Sequence, residues 1–294
     1  MKLKRNAGLA LALTLVAASG AARADMLADI HARGELKCAV YSDVPPFSAP
    51  DPKTRQLVGM DVELCHALAK QMGVKAQLVP TSVEARIAVI ATGRADVLIA
   101  NLAYTKTRGR QIQFSDPYYV AKEMLLVKEA NADKTLADFK GKRISATKGT
   151  TSEQSIVLKG GKPVTFQDAA SAFLALEQNK ALGFVTNTMT GIKMIGQAKK
   201  DGINLAMIKE PMALEPIGVG MKQGEPQLLT SVNESLKAMD DNGRSTRSGI
   251  PGLDRTPNTK WSAKNGYNRY PASRLNRWNK YDADIENLVT RAPH

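Results

Sequence analysis

The residues of this sequence best placed to do chemistry lie between Ala91 and Tyr119. A short apolar run, Val97-Leu98-Ile99-Ala100, is long enough for a buried strand and too short for a helix. It stops in a polar cluster, Asn101, Tyr104, Thr105, Lys106 and Thr107, with Ala103 inside it and Arg108 at its edge. Small side chains, hydroxyls and one guanidinium at the end of a buried strand suit the capture of a small carboxylate. A planar guanidinium holds a carboxylate by two parallel charge-assisted hydrogen bonds. Asn101, Ala103 and Arg108 are therefore candidate ligand contacts. The competing reading makes Arg108 and Arg110 solvated loop charges.

A second anion-binding pattern is Lys148-Gly149-Thr150-Thr151-Ser152-Glu153. Thr150 with Glu153 three residues on is a capping box that opens a helix. Backbone N–H groups at a helix start favour an anion, and Gly149 allows close approach. Gly149, Thr150 and Thr151 are candidates on this side, with plain capping as the competing reading.

The elements that must position these groups alternate. A short helix from Met26 precedes a strand at 36–40, an irregular segment at 41–47, and a helix from Gly59 to about Met72 that Gly73 closes. Strand 76–79, helix 85–92, strand 97–100, extended segment 124–127, a helical turn at 136–139 and strand 143–146 follow. Helix 171–179, strand 182–186, a return strand at 216–221 and helix 227–239 complete the pattern. Repeated strand–helix alternation predicts an α/β fold with mostly parallel strands.

The phrases D-V-x-I-A-N-x-x-x-T-x-x-R and F-S-D-P-Y-Y, with Pro46-Phe47 and Gly59-x-Asp61, resemble the family 3 extracellular solute-binding proteins. These are polar amino-acid receptors of ABC importers, and the likeness runs from about Leu27 to Gly243. It implies a two-lobed periplasmic-binding-protein fold (type II) with two hinge strands. Lobe 1 would comprise residues 25–123 and 217–243, and lobe 2 residues 124–216. A solute would be held between Arg108 and Asn101 on one side and Gly149, Thr150, Thr151 and Asn187 on the other. Phe47 belongs to the motif, and Arg86 matches a further family segment. The family commonly has an aspartate, paired with the ligand's α-ammonium, where this chain has Asn187. Asp43 and Glu123 are carboxylates that could substitute. The aromatic that often stacks on the ligand is replaced by Val44. The resemblance implies a monomer that delivers an amino acid or related organic acid to an inner-membrane ABC permease. The alternative on the same scaffold is a periplasmic cyclohexadienyl (prephenate-type) dehydratase. That enzyme needs a general acid in the cleft, for which the sequence offers no histidine and no convincing carboxylate.

Residues 1–24 read as a secretory signal peptide: a positive start, an apolar core at 8–18 and the small-x-small end Ala22-Arg23-Ala24. The expected location is the periplasm. Export makes a disulfide possible, yet Cys38 and Cys65 both fall among apolar neighbours, which predicts buried thiols with a bridge as the alternative. His31, His66 and His294 show no metal-ligand spacing, and His31 and His66 read as surface helix residues. No metal and no cofactor is expected. The net charge of +13 suggests nucleic acid at first sight, but residues 1–24 carry +4 and residues 244–294 carry +6. The body retains only +3, with no basic stripe for nucleic acid.

Residues 244–294 have no sustained periodicity, and a disordered extension is the plain reading. Reading the back-translated tail one base earlier, from the last base of the Gly243 codon, turns Arg244 to Trp261 into EIDPIWNTWLGPNTKYKM. The family ends in a phrase of that kind. The expectation is one base missing at Gly243, by sequencing error or a true frameshift allele. Resequencing the locus decides it, since an intact extra base restores the family ending. A chain made as written would forgo an Ile, a Leu and two Trp, each worth about 2–3 kcal/mol when buried.

Overall fold

A computed structural model describes residues 25–241. The expected leader and the segment read as out of frame lie outside the described residues. In chain order the elements are α1 (Met26–Arg33), β1 (Glu35–Tyr41), β2 (Ala49–Pro50), β3 (Leu57–Val58), α2 (Met60–Gln71), β4 (Lys75–Thr81) and α3 (Arg86–Ala91). Then come β5 (Val97–Leu98), α4 (Lys106–Gly109), β6 (Gln113–Phe114), β7 (Tyr119–Lys128), β8 (Arg143–Thr147), α5 (Thr151–Leu158), β9 (Lys162–Phe166) and α6 (Ala169–Glu177). The rest is β10 (Gly183–Asn187), α7 (Thr188–Lys200), β11 (Leu205–Met207), β12 (Ala213–Ile217), β13 (Gly220–Met221) and α8 (Pro226–Asp241). The turn expected at Leu136–Phe139 is a 3-10 helix.

Two sheets make two α/β lobes. The first, ordered β4-β1-β5-β13-β6, draws strands from both ends of the described chain. The second, β11-β7-β10-β8-β9 with β12 also on β7, comes from the middle. Strand β1 is parallel to β4 and β5, and β8 is parallel to β9 and β10. Antiparallel pairs also mark where the chain crosses between lobes. There β12 lies against the start of β7, and β13 enters the first sheet between β5 and β6.

Burial explains why these segments are strands. Along β1, Leu36, Cys38 and Val40 join the core under α1, α2 and α8, while Ala39 and Tyr41 join the core under α3 on the opposite face. A strand covered on both sides reads as a near-continuous apolar run. In the second lobe, Leu125 and Val127 face the core of α5, while Leu126 faces the core of α6 and α7. Among the described residues, no helix is long and apolar enough to cross a membrane.

Two expectations are corrected. Cys38 and Cys65 are not free thiols but a disulfide, with Cα atoms 6.1 Å apart, tying β1 to α2. The return strand expected at 216–221 is two strands, because residues 213–217 pair with β7 in the second sheet and residues 220–221 pair in the first.

Gly59, the residue that precedes α2, has φ 138°, and a Cβ there would lie 2.4 Å from the Phe47 carbonyl oxygen and 2.6 Å from that of Pro46. Backbone cannot yield as a flexible side chain can. Gly59→Ala is expected to cost about 2 kcal/mol or more, read as a lower urea midpoint at unchanged slope.

Candidate functional site

Where the lobes meet, a cleft is lined from the first lobe by Tyr41, Val44, Val83, Arg86 and Asn101. From the second lobe and the crossing strands come Glu123, Thr147, Thr150, Thr151, Ser152, Thr186, Asn187, Thr190 and Glu215, with Ala169 and Val185. Its walls are mostly hydroxyls and amides, and its charges are two carboxylates and a guanidinium.

Arg86 stands at the start of α3, buried, where its Nη1 donates to the Tyr41 hydroxyl and, at 3.0 Å, to the Ala100 carbonyl. Asn101 follows β5 with φ 40°, a conformation asparagine tolerates better than most residues. Its N–H donates to Asp61 Oδ2 at 3.1 Å, and its side-chain oxygen accepts from the Tyr119 hydroxyl. Burial pushes the Asp61 carboxyl up to about 7, although the Asn101 N–H and Arg86 pull it down. Asp61 therefore acts from behind the cleft, holding Asn101 in its turn.

Arg108 is buried beside the cleft. Thr105 caps its short helix by accepting from the Arg108 N–H at 3.1 Å. Nη1 donates to the Ala103 carbonyl at 2.8 Å, and Nη2 crosses to the other lobe to the Gly149 carbonyl at 3.2 Å. Burial above all, then Arg86, lowers its pKa to about 10, so it stays cationic at neutral pH. A guanidinium has five N–H donors, so these two contacts leave donors for a ligand. Two further contacts join the lobes: the Thr190 hydroxyl donates to the Pro45 carbonyl at 3.3 Å, and Lys148 pairs with Glu84 at 3.1 Å.

On the second lobe, Thr150 caps α5 by accepting from the Glu153 N–H at 3.3 Å. The Glu153 carboxylate reaches the Gly149 N–H at 2.9 Å rather than that of Thr150. Both backbone groups of Gly149 are thus engaged within the protein, and Gly149 is not in the cleft wall. Thr150 and Thr151 are.

The sequence candidates sort accordingly. Arg86, Asn101, Thr150, Thr151 and Asn187 line the cleft together. Arg108 lies next to it, with Ala103 and Gly149 as its carbonyl partners. Phe47 is fully buried in the first lobe's core, and Asp43 is exposed and outside the lining. Of the two carboxylates considered as substitutes, only Glu123 is in the cleft.

The expectation of no convincing carboxylate in the cleft is corrected by Glu123 and Glu215. Glu123 accepts from the Ser152 hydroxyl, and burial, then Glu215, pushes its carboxyl up to about 8. Burial also raises Glu215, against a hydrogen bond from Thr151. Glu215, Tyr41, Ser152 and Thr190 were not singled out from the sequence. A Glu inside an otherwise apolar strand, as in Ala213-Leu-Glu-Pro-Ile217, was the available signal, because Glu is almost never buried without a partner.

Asn187 ends β10 and caps α7, its Oδ1 accepting from the Met189 N–H at 2.9 Å. Its buried Nδ2 has no hydrogen-bond partner among the described residues.

The chain and its fold have counterparts among known proteins. The chain is 29% identical over 233 residues to the ABC transporter glutamine-binding protein GlnH of Bacillus subtilis (strain 168), covering 77% of this chain and 84% of that protein. It is 28% identical over 222 residues to the L-cystine-binding protein TcyJ of Escherichia coli (strain K12), covering 74% and 82%. The structure of the ancestral amino acid-binding protein AncCDT-1, a precursor of cyclohexadienyl dehydratase, matches with TM-score 0.68 and 32% identity over 77% of this chain and 97% of that one. An ancestral arginine-binding protein bound to glutamine matches with TM-score 0.68 and 32% identity over 75% and 97%. The sequence pattern of one family covers residues 36–248. The chain belongs to the bacterial extracellular solute-binding proteins, family 3.

Proposed function

We propose that this chain captures a small carboxylate-bearing solute, a polar amino acid, between its lobes and delivers it to an inner-membrane ABC permease. The observation that carries the reading is a cleft walled by both lobes, with buried Arg86 in its wall and buried Arg108 beside it, bridging to the Gly149 carbonyl of the other lobe. A solute that touches both walls binds the closed form better than the open one and so shifts the population towards closure. The protein acts in the periplasm as a monomer, as a binder rather than an enzyme. Relatives named for binding glutamine, cystine and arginine support the solute class.

Titration of the purified chain with the L-amino acids and with small organic acids tests this. At least one is expected to bind one-to-one. At a hundred times Kd the bound form gains about 2.7 kcal/mol, a rise in melting temperature of roughly 5–10 °C. Arg86→Met and Arg108→Met are each expected to weaken that binding by about 100-fold, since losing one partner of a buried charged contact costs about 2–5 kcal/mol. A panel that leaves the melting temperature unmoved would refute the reading.

The dehydratase reading has one observation in its favour. Glu123, its pKa lifted to about 8, is a proton-bearing carboxyl in the cleft wall at neutral pH, as a general acid must be. Incubation with prephenate or arogenate separates the two: product formation abolished by Glu123→Gln would establish the enzyme.

A further inference from the structure

We propose that Glu123 and Glu215, on the two crossing strands, form the subsite for the cationic group of the solute, and that Asn187 receives a solute oxygen instead of its ammonium. This rests on reading the cleft as a solute site. It departs from the arrangement in which the residue at the end of β10 takes the ammonium.

The first observation is the polarity of Asn187. Its Oδ1 is committed to the Met189 N–H, which fixes the amide orientation, since the flipped amide would set N–H against N–H. The group left for the cleft is Nδ2, a donor, 5% exposed as a residue and without a partner among the described residues. A donor repels an ammonium and suits a carboxylate or carbonyl oxygen.

The second observation is strand register. Asn187 on β10 lies directly opposite Glu123 on β7. On the other edge of β7, Ala213 opposes Glu123 and Glu215 opposes Ala121, so Glu123 and Glu215 are diagonal neighbours on one face. Three adjacent strands therefore present one unpaired donor and two carboxylates to the same cleft.

The third is the state of the carboxylates. Ser152 donates to Glu123 and Thr151 to Glu215, and neither is ion-paired among the described residues. A carboxylate has about four acceptor sites, so both keep capacity for a donor. Arg86 and Arg108 face the pair and are held by Tyr41 and by the carbonyls of Ala100, Ala103 and Gly149. Two like charges in one buried place retain a proton between them, which an arriving cation displaces. Binding is then linked to proton release at neutral pH.

Calorimetry on the parent chain with each of the twenty L-amino acids and its 2-hydroxy acid counterpart tests the subsite, in phosphate and in Tris at pH 7.5. The amino acid that binds is expected to exceed its hydroxy acid by about 100-fold and to release a proton, seen as a buffer-dependent heat. Glu123→Gln and Glu215→Gln are expected to lower amino-acid affinity about 100-fold while changing hydroxy-acid affinity less than threefold. Asn187→Asp is expected to weaken the amino acid by removing the donor. Parent affinity retained in both Glu variants, or tighter binding by Asn187→Asp, would overturn the subsite. Hydroxy acids binding as well as amino acids would overturn it too, while leaving the carboxylate-capturing cleft intact. Binding of neither set would remove the solute site itself. Should a Glu variant fail to give the parent's circular dichroism, the amino-acid against hydroxy-acid comparison on the parent still decides.

Discussion

Between pH 5 and pH 9 the ligand-free protein is expected to lose melting temperature by on the order of 10 °C. Asp61 is raised from 3.8 to about 7 and Glu123 from 4.5 to about 8, with burial the largest cause for both. A carboxyl whose folded-state pKa exceeds its unfolded value holds its proton more tightly in the native chain. The stability this brings is full below pH 4 and is lost as pH rises through 7 to 8. Above pH 5 the loss for Asp61 alone is roughly 3 kcal/mol, and Glu215, also raised, acts in the same sense. Asp51 and Asp138, held low by hydrogen bonds to their own turns, act in the opposite sense, but only below about pH 4. Thermal melts across the range check this. Asp61→Asn, which keeps an acceptor for the Asn101 N–H, and Glu123→Gln should each flatten the profile and melt above the parent at pH 8.5. A parent profile flat from pH 5 to 9 would contradict it.

Removing the disulfide should be comparably costly. Cys38 and Cys65 are 27 positions apart, and opening a loop of that size releases chain entropy worth roughly 3–4 kcal/mol. Both sulfurs belong to the core under α2, so Cys65→Ser also leaves a hydroxyl in apolar surroundings. The expected fall in melting temperature is roughly 10 °C, and the parent treated with dithiothreitol should fall as far. Identical melts of the oxidised and reduced parent would show that the bridge contributes nothing.

Much of this fold is legible in the residues because local signals agreed with global ones. The apolar run of β1, the Thr150 cap and the Gly73 stop each pointed to an element that is present, to within a residue or two. What depends on distant register was not legible. Cys38 and Cys65 sit among apolar neighbours whether bridged or free, and only the packing of α2 on β1 brings them within 6.1 Å. Glu215 becomes a cleft residue because β12 settles antiparallel on β7, some ninety positions earlier in the chain. The return segment reads as one strand because its residues are uniformly apolar, and it divides because the chain changes sheets between Ile217 and Gly220.

Glu123 and Glu215 lie on the strands about which the lobes would turn, whereas Thr150 and Asn101 sit on opposite jaws. A load set on a pivot exerts little torque, so a cation seated there would settle early and leave the angle between the jaws almost unchanged. The swing would then be driven by the far end of the solute, as it reaches the hydroxyls and amides beyond. A truncated solute carrying only the charged end would on this account occupy the axle and leave the jaws apart, a bound form that the permease has no reason to accept.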